Sequence, residues 1–250
     1  MQSTFKIDMD ISTKLDGLHS SAKQNRWLGY FATFNRVALA AGFLPSGYVK
    51  IIGERFTDLH NNQPMGHYLE ALHHTGYYYT YIGIAQVTAA VLLLIPRTAI
   101  LGALLYFPII LNICILSLSV RFEGSLLSSP LMVLANLFLL CWYYDRLKYI
   151  FPFHQSKKDM SAPKPKVIDN KFPVKFFFGV VAAISLVVLL VTSYDIMPRN
   201  TLQDCMLQCT GDAGPNACKV FCDDIHIKGR PFDKSLDAYH QALKSTGQKK

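Results

Sequence analysis

The sequence predicts an all-α fold: a polytopic membrane protein with a four-helix transmembrane bundle, a fifth transmembrane helix and a small disulfide-linked helical hairpin. Three observations lead to this fold class. Of the 250 residues, 51% are hydrophobic and 17% are charged, whereas roughly 25% of the residues in a soluble protein are charged. The apolar residues form long charge-free blocks, and four of the six cysteines cluster near the C-terminus. This composition argues against a soluble enzyme.

Four charge-free blocks are long enough to cross a bilayer. A helix needs about 20 apolar residues to span roughly 30 Å of hydrocarbon, and blocks of this length cover residues 75–96, 98–120, 124–144 and 176–194. A fifth block, residues 27–49, is interrupted only by Arg36. We interpret it as the first span because its flanks are membrane-like. The sequence therefore predicts five crossings.

The predicted crossings divide the chain into five regions. They are a cytoplasmic leader (1–26), a four-helix membrane domain (27–149), a basic cytoplasmic linker (150–175), a fifth transmembrane helix (176–196) and an exported Cys-containing tail (197–250). Lys and Arg accumulate in cytoplasmic loops, and with the N-terminus inside thirteen lie on that side against three in external loops. We therefore expect a multi-pass inner (plasma) membrane protein whose N-terminus is cytoplasmic and whose C-terminus is periplasmic or extracytoplasmic.

Much of the formal net charge of +8 comes from the predicted linker, where residues 156–175 carry six lysines. A basic run can bind nucleic acid. Here Pro163 and Pro165 interrupt it and a membrane span follows it, so membrane topology and attraction to anionic lipids explain the charge better. We expect membrane lipids as partners and no nucleic acid.

Four cysteines lie in the predicted tail as a doubled C-x3-C motif with eight residues between the two halves. A spacing of four places each pair on one face of a helix, and residues 210–217 between them are dense in turn formers. An antiparallel helical hairpin then joins Cys205 to Cys222 and Cys209 to Cys218, as two nested disulfides in an oxidising compartment. A four-thiolate zinc site and a redox-active dithiol are the alternatives.

Polar residues within or beside the predicted spans are the candidate site. Charged and amide side chains are costly in hydrocarbon and usually face the bundle interior. Arg36 on the first span and Asn112 on the third are the deepest, and Glu70 before the second span offers an ion partner. We predict that these three form the polar interior of the bundle. The alternative is that Arg36 pairs structurally and Asn112 holds helices together by hydrogen bonding.

A histidine-rich stretch precedes the second span. On a helix His67, Glu70 and His74 share one face, which makes a mononuclear metal site a weak alternative. We expect no metal, because di-iron bundles need the Glu-x-x-His pair twice and it occurs once here. An interfacial helix with a belt of tyrosines explains the stretch. Motifs of nucleotide binding, zinc proteolysis, esterase chemistry and covalent haem attachment do not occur in the sequence, so the catalytic residues are unknown.

The first span carries Arg36, then Gly42 six residues on, then Ser46-Gly47 and finally Lys50 at its outer end. In this pattern it resembles the first helix of DoxX-like membrane proteins. Three later stretches resemble the family's second helix, its Pro-Arg turn and the start of its third helix: residues 83–86, 92–97 and 102–105. The resemblance covers about residues 35–149, and Gln86 stands where relatives commonly carry Glu.

This resemblance implies a four-helix membrane bundle, and the family includes subunits of thiosulfate:quinone oxidoreductase and of other bacterial envelope redox assemblies. It places a cofactor-binding site at Arg36, Ser46, Gly47 and Lys50, for which the cofactor is unknown and a quinone is the candidate. We expect an accessory subunit of a quinone-linked redox or other membrane complex, with a protein partner at the exported tail. The alternatives are a quinone- or thiol-linked membrane oxidoreductase in its own right, and a lipid or small-molecule transporter, which no clear internal repeat supports.

Overall fold

The computed structural model describes residues 17, 19–147, 168–211 and 214–245, and most of these residues are α-helical. Within these residues the only β feature is an isolated bridge between Asn25 and Asp169, so the predicted all-α class is confirmed. The named helices are α1 Arg26–Ile51, α2 Pro64–His73, α3 Tyr77–Leu94, α4 Ala99–Ser119, α5 Ser128–Trp142, α6 Tyr144–Leu147, α7 Val174–Thr192, α8 Leu202–Gln208, α9 Pro215–His226 and α10 Phe232–Ser245.

Helices α1, α3, α4 and α5 form the bundle, each packing on the next and α5 closing on α1. Small side chains let membrane helices approach closely, and Ala89, Ala90 and Ala103 are fully buried between them. Larger side chains fill the centre. The ring of Phe43 stacks on that of Tyr106 with 3.6 Å between ring centroids, and the Tyr106 hydroxyl donates to the Leu39 carbonyl at 3.1 Å.

The loops lie at two opposite ends of the helices. At the leader end, which we define by the start of α1, the Asn25 amide donates to the Lys171 carbonyl just before α7, at 2.8 Å. At the same end, the Arg146 guanidinium of α6 donates to the carbonyl of Arg97, in the loop between α3 and α4, at 3.4 Å. The tail end carries the loops 52–63 and 120–127 and the described residues after α7. The start of α1 and the described residues after α7 therefore lie at opposite ends of the helices.

Within the described part of the chain, three helices, α3, α4 and α7, are long and apolar enough to cross a membrane, judged by length and composition. The chain is therefore a membrane protein. This number is smaller than the five spans that the sequence predicts. Helix α5 is apolar but has only 15 residues, because the preceding residues form a turn. Helix α1 has 26 residues but is less hydrophobic, with Arg36 and Lys50 inside it. Five crossings stay a prediction.

Helix α7 is set apart from the bundle. None of its residues is buried, as expected of a uniformly apolar helix that faces lipid. Aromatic rings hold its leader end: Phe31 of α1 lies 5.5 Å from Phe176 and 5.6 Å from Phe177, centroid to centroid. Beyond these rings α7 leaves a groove of about 650 Å³ between itself, α1 and α5.

The tail folds into a separate module of α8, α9 and α10. Its two disulfides join Cys205 to Cys222 and Cys209 to Cys218, the nested pairing that the sequence predicts. Helix α10 extends beyond the predicted hairpin, and its Tyr239 packs into the same core. The other buried residues around the disulfides are Ile196, Phe221 and Ile225. A core this small cannot stabilise a fold alone, and cross-links supply the difference.

The module lies against the tail-end loops of the bundle. The Arg121 guanidinium donates to the Asp195 carboxylate at 2.9 Å and to the Ile196 carbonyl at 2.6 Å. The Asn62 amide donates to the His226 carbonyl at 2.9 Å. These contacts join the module to both tail-end loops of the bundle.

Candidate functional site

The candidate site begins where the backbones of α1 and α3 touch. A Cβ atom added to Gly47 would lie 2.8 Å from the Gly83 carbonyl oxygen, and one added to Gly83 would lie 2.7 Å from the Gly47 carbonyl oxygen. Because a larger residue at either position would collide with backbone, the two glycines permit this crossing. The crossing brings the polar residues of the adjacent turns into contact.

A hydrogen-bonded polar cluster of Ser46, Lys50 and Gln86 lies beside this crossing. The Lys50 ammonium donates to the Ser46 carbonyl oxygen at 2.9 Å and to its hydroxyl oxygen at 2.8 Å. The Ser46 hydroxyl in turn donates to Oε1 of Gln86 at 3.3 Å. Ser46 and Lys50 share a face of α1 because they are four residues apart. Lys50 is 5% exposed and Gln86 is 1% exposed.

The Lys50 ammonium has no carboxylate within 4.0 Å among the residues that the structure describes. It lies 4.2 Å from the ring centroid of Phe56 and 5.9 Å from that of Tyr79. An aromatic face attracts a cation, but it leaves the charge without a counter-ion. Phe56, which belongs to the loop after α1 and is 44% exposed, covers the ammonium. A buried cation of this kind marks a site in a membrane protein.

Arg36 lies near the leader end, away from this cluster. Its guanidinium donates to the Leu93 and Leu94 carbonyls, both at 2.6 Å. These carbonyls belong to the last turn of α3, where backbone acceptors lack partners within the helix. A cation at a helix C-terminus is also favoured by the helix dipole. Arg36 therefore caps α3, which agrees with the structural role held as the alternative.

The predicted polar interior of Arg36, Asn112 and Glu70 is wrong. Asn112 is exposed on the outside of α4. Glu70 on α2 pairs with Arg55, with 3.0 Å between Oε2 and Nε. Helix α4 is apolar on every side, so its sequence carries no periodic signal that says which face looks inward.

A different amide occupies the bundle interior. Asn136 of α5 is fully buried, and its Nδ2 donates to the Ala103 carbonyl at 3.1 Å. Its Oδ1 has no hydrogen-bond partner among the residues that the structure describes. The sequence analysis missed this residue, although an isolated amide within the apolar run 128–142 is the kind of signal that singled out Asn112.

The weak metal alternative of His67, Glu70 and His74 is not assembled in the structure. His67 is exposed, Nδ1 of His74 is bonded to the Glu70 backbone carbonyl at 2.8 Å, and the Glu70 carboxylate is held by Arg55. The sulfur atoms of three tail cysteines lie within 4.8 Å of one another. All of them belong to disulfides, and zinc binds free thiolates. The zinc alternative for the tail is therefore not assembled either.

Titratable groups outside the bundle are held by close partners. The side chain of Asp224 accepts from Lys228 at 2.7 Å and from Arg230 at 2.9 Å. Burial alone would raise its pKa, but the hydrogen bond from Lys228 and the charge of Arg230 outweigh burial and lower the pKa. Burial lowers the pKa of His226, and the hydrogen bond to the Pro198 carbonyl only partly opposes this shift. His226 is therefore neutral in the folded module near pH 7.

Comparison with known proteins identifies one family. The chain is 37% identical over 135 residues to the uncharacterized protein YwoB of Bacillus subtilis (strain 168), and the match covers 51% of this chain and 84% of YwoB. The chain belongs to the YwoB family. No model of a protein family matches the chain, and no solved structure matches it. YwoB carries no assigned activity in its description, so the membership adds no chemistry.

The polar cluster of this YwoB-family protein supplies hydrogen-bond donors and positive charge. An ammonium group has three donors, and Ser46 takes two of them. The third donor and the charge suit a carbonyl, carboxylate or phosphate oxygen. Of the positions that the DoxX-like resemblance singles out, the structure brings together Ser46, Gly47 and Lys50 and leaves Arg36 elsewhere.

Proposed function

We propose that this chain is a DoxX-like accessory subunit of a bacterial envelope complex, in the inner membrane with its N-terminus in the cytoplasm, and that it serves a quinone-linked redox process. The single observation that carries the proposal is the buried Lys50 ammonium without a counter-ion among the described residues. An unpaired charge inside a membrane bundle is costly and is retained where it binds something. In this proposal, a carbonyl oxygen of the quinone accepts a hydrogen bond from the third donor of the Lys50 ammonium, which Ser46 does not use.

An accessory role fits the cysteines better than a catalytic one. The four tail cysteines are between 0% and 1% exposed, and thiol–disulfide exchange needs access to the sulfur under attack. The disulfides therefore brace the module. A rigid module on the tail side of the membrane offers a partner protein a fixed surface, and this supports the assignment of the tail as the docking region.

The experiment compares the wild-type chain with Lys50→Met and with the matched control Lys219→Met, an exposed lysine of α9. Each is expressed in a bacterium and purified in a mild detergent, and the bound quinone is extracted and quantified. Methionine keeps the length of the side chain but removes its charge and donors. We expect wild type and Lys219→Met to retain quinone in near-stoichiometric amount, and Lys50→Met to retain at least ~10-fold less, since a lost charge-assisted hydrogen bond is worth about 1.5–3 kcal/mol.

The same preparations are examined for co-purifying proteins. Recovery of one protein with wild type and Lys219→Met, at a fixed ratio, would support the accessory role. A wild-type chain that carries neither quinone nor a partner would overturn the proposal. Equal quinone retention by all three chains would show that Lys50 does not bind the quinone.

A further inference from the structure

The groove between α7 and the bundle has the depth of one bilayer leaflet. Along α7 its lining runs from Lys175 to Ile184, and along α1 it runs from Phe31 to Gly42. At a rise of 1.5 Å per residue these stretches measure roughly 14 and 16 Å. The hydrocarbon core of a bilayer is about 30 Å thick, so the groove extends from the leader-end interface to the middle of the membrane.

The wall of the groove suits a hydrocarbon chain. Its lining is predominantly apolar, with Phe34, Leu131 and Ile184 among its residues. Asn35 is the buried polar side chain of the lining, and its Nδ2 already donates to the Phe31 carbonyl at 2.9 Å. The volume of about 650 Å³ lies within the usual range of ligand pockets, roughly 300–1,000 Å³.

The mouth of the groove is basic. Lys175 lines it at the leader end and is exposed, and no carboxylate lies within 4.0 Å of its ammonium among the described residues. Lys171 is also exposed, four residues earlier in the chain and just before α7. In the sequence these two end the run of six lysines in residues 156–175. A basic cluster next to a membrane span attracts anionic lipid headgroups.

We infer that the groove binds one anionic phospholipid from the leader-end leaflet, with an acyl chain along α7 and the headgroup phosphate at Lys175. The shape and the charge both select this occupant. An apolar slot one leaflet deep accommodates a single acyl chain, and a lysine at the level of the headgroups pairs with a phosphate. This site is separate from the polar cluster at Lys50, so the inference does not depend on the proposed function.

Native mass spectrometry of the full chain in detergent micelles tests the inference, with phosphatidylglycerol and phosphatidylcholine of identical acyl chains added in turn. We expect one phosphatidylglycerol per chain, bound several-fold more tightly than phosphatidylcholine. Lys175→Gln should reduce that preference about five-fold, because a lysine near an anionic lipid surface contributes about 1 kcal/mol. Lys219→Gln, in the tail module, should leave the preference unchanged.

A pair of neighbouring alanines on α7 separates a bound lipid from the lipid that surrounds any membrane helix. Ala183 lines the groove, whereas Ala182 is exposed and does not line it. Ala183→Phe should fill the slot and reduce the binding of both lipids, and Ala182→Phe should change neither. Equal occupancy by the two lipids in the wild-type chain, identical behaviour of the two phenylalanine variants, or retention of a quinone in the groove in place of a phospholipid would each overturn the inference.

Discussion

The bundle and the tail module are both helical, but different forces hold them together. In the bundle, long apolar helices approach through small residues such as Gly47 and Gly83, whose backbones touch. In the module, three short helices enclose two disulfides and a small apolar core. Ion pairs such as that of Arg121 and Asp195 join the two regions.

The difference follows from the solvent of each region. Lipid tails are as apolar as the side chains of the bundle, so the hydrophobic effect does not drive its helices together, and close packing does. A small module in water gains from burying apolar surface but has too little of it, and cross-links reduce the entropy of its unfolded state. The two regions should therefore fail independently under different mutations.

The largest expected effect is the loss of a disulfide. Replacing Cys205 and Cys222 together by Ala should destabilise the module by about 2–5 kcal/mol, the usual cost of removing a disulfide from a small domain. The bundle should be unaffected. Hydrogen exchange measured by mass spectrometry should rise across residues 196–245 and stay constant across residues 77–119. The control is Cys141→Ala, which removes an exposed free cysteine. Equal loosening of both regions would contradict the comparison.

The second expected effect lies in the bundle. Gly83→Ala places a Cβ atom 2.7 Å from the Gly47 carbonyl oxygen and should cost roughly 1–3 kcal/mol through overpacking. Gly29→Ala on the same bundle is the matched control, because its Cβ would meet nothing within 4 Å and alanine favours a helix by up to ~1 kcal/mol. Thermal unfolding in detergent distinguishes the two. If both variants melt at the same temperature, the glycine crossing is not a tight contact.

The smallest expected effect is a pH dependence confined to the module. Burial lowers the pKa of His226, and the hydrogen bond to the Pro198 carbonyl only partly opposes this shift. The charge of His60 lowers the pKa and that of Asp204 raises it. The net shift is downward, so the unfolded chain takes up a proton more readily than the folded one. The stability of the module should therefore be complete above pH ~6.5, the ordinary pKa of histidine, and fall as the pH decreases below it. Thermal melts of the module between pH 8 and pH 5 measure this. His226→Asn should make the stability of the module less dependent on pH. If the slope of stability against pH is unchanged in that variant, another titratable group causes it.

The helices were predictable because a long run of apolar residues without a charged residue is by itself a sign of a membrane helix. The last charge-free block, residues 176–194, and the observed helix, Val174–Thr192, differ by two residues at each end. The disulfide pairing was predictable from spacing. Cysteines four residues apart lie on one face of a helix, and two such helices in an antiparallel hairpin bring the four cysteines together in the nested arrangement. Helix α10 was not predicted, because the tail was considered only for its cysteines.

The candidate site was predictable only in part. Ser46, Gly47 and Lys50 were singled out because α1 resembles the first helix of DoxX-like proteins, and in the structure they lie together. The grouping of Arg36 with Asn112 failed because a polar residue on a uniformly apolar helix carries no information about the direction it faces. Which carbonyls Arg36 would reach depends on how α1 and α3 cross, and that crossing depends on two glycines whose contact no single-helix pattern reveals.

Helix α7 is fastened at both ends and free between them. Aromatic rings secure its beginning, and the docked module secures the chain that follows its end. The opening that results faces sideways into the membrane. A molecule that enters it moves in from the neighbouring lipid and never crosses water, so the rate of entry would depend on its abundance in the surrounding bilayer and not on its solubility in either aqueous compartment.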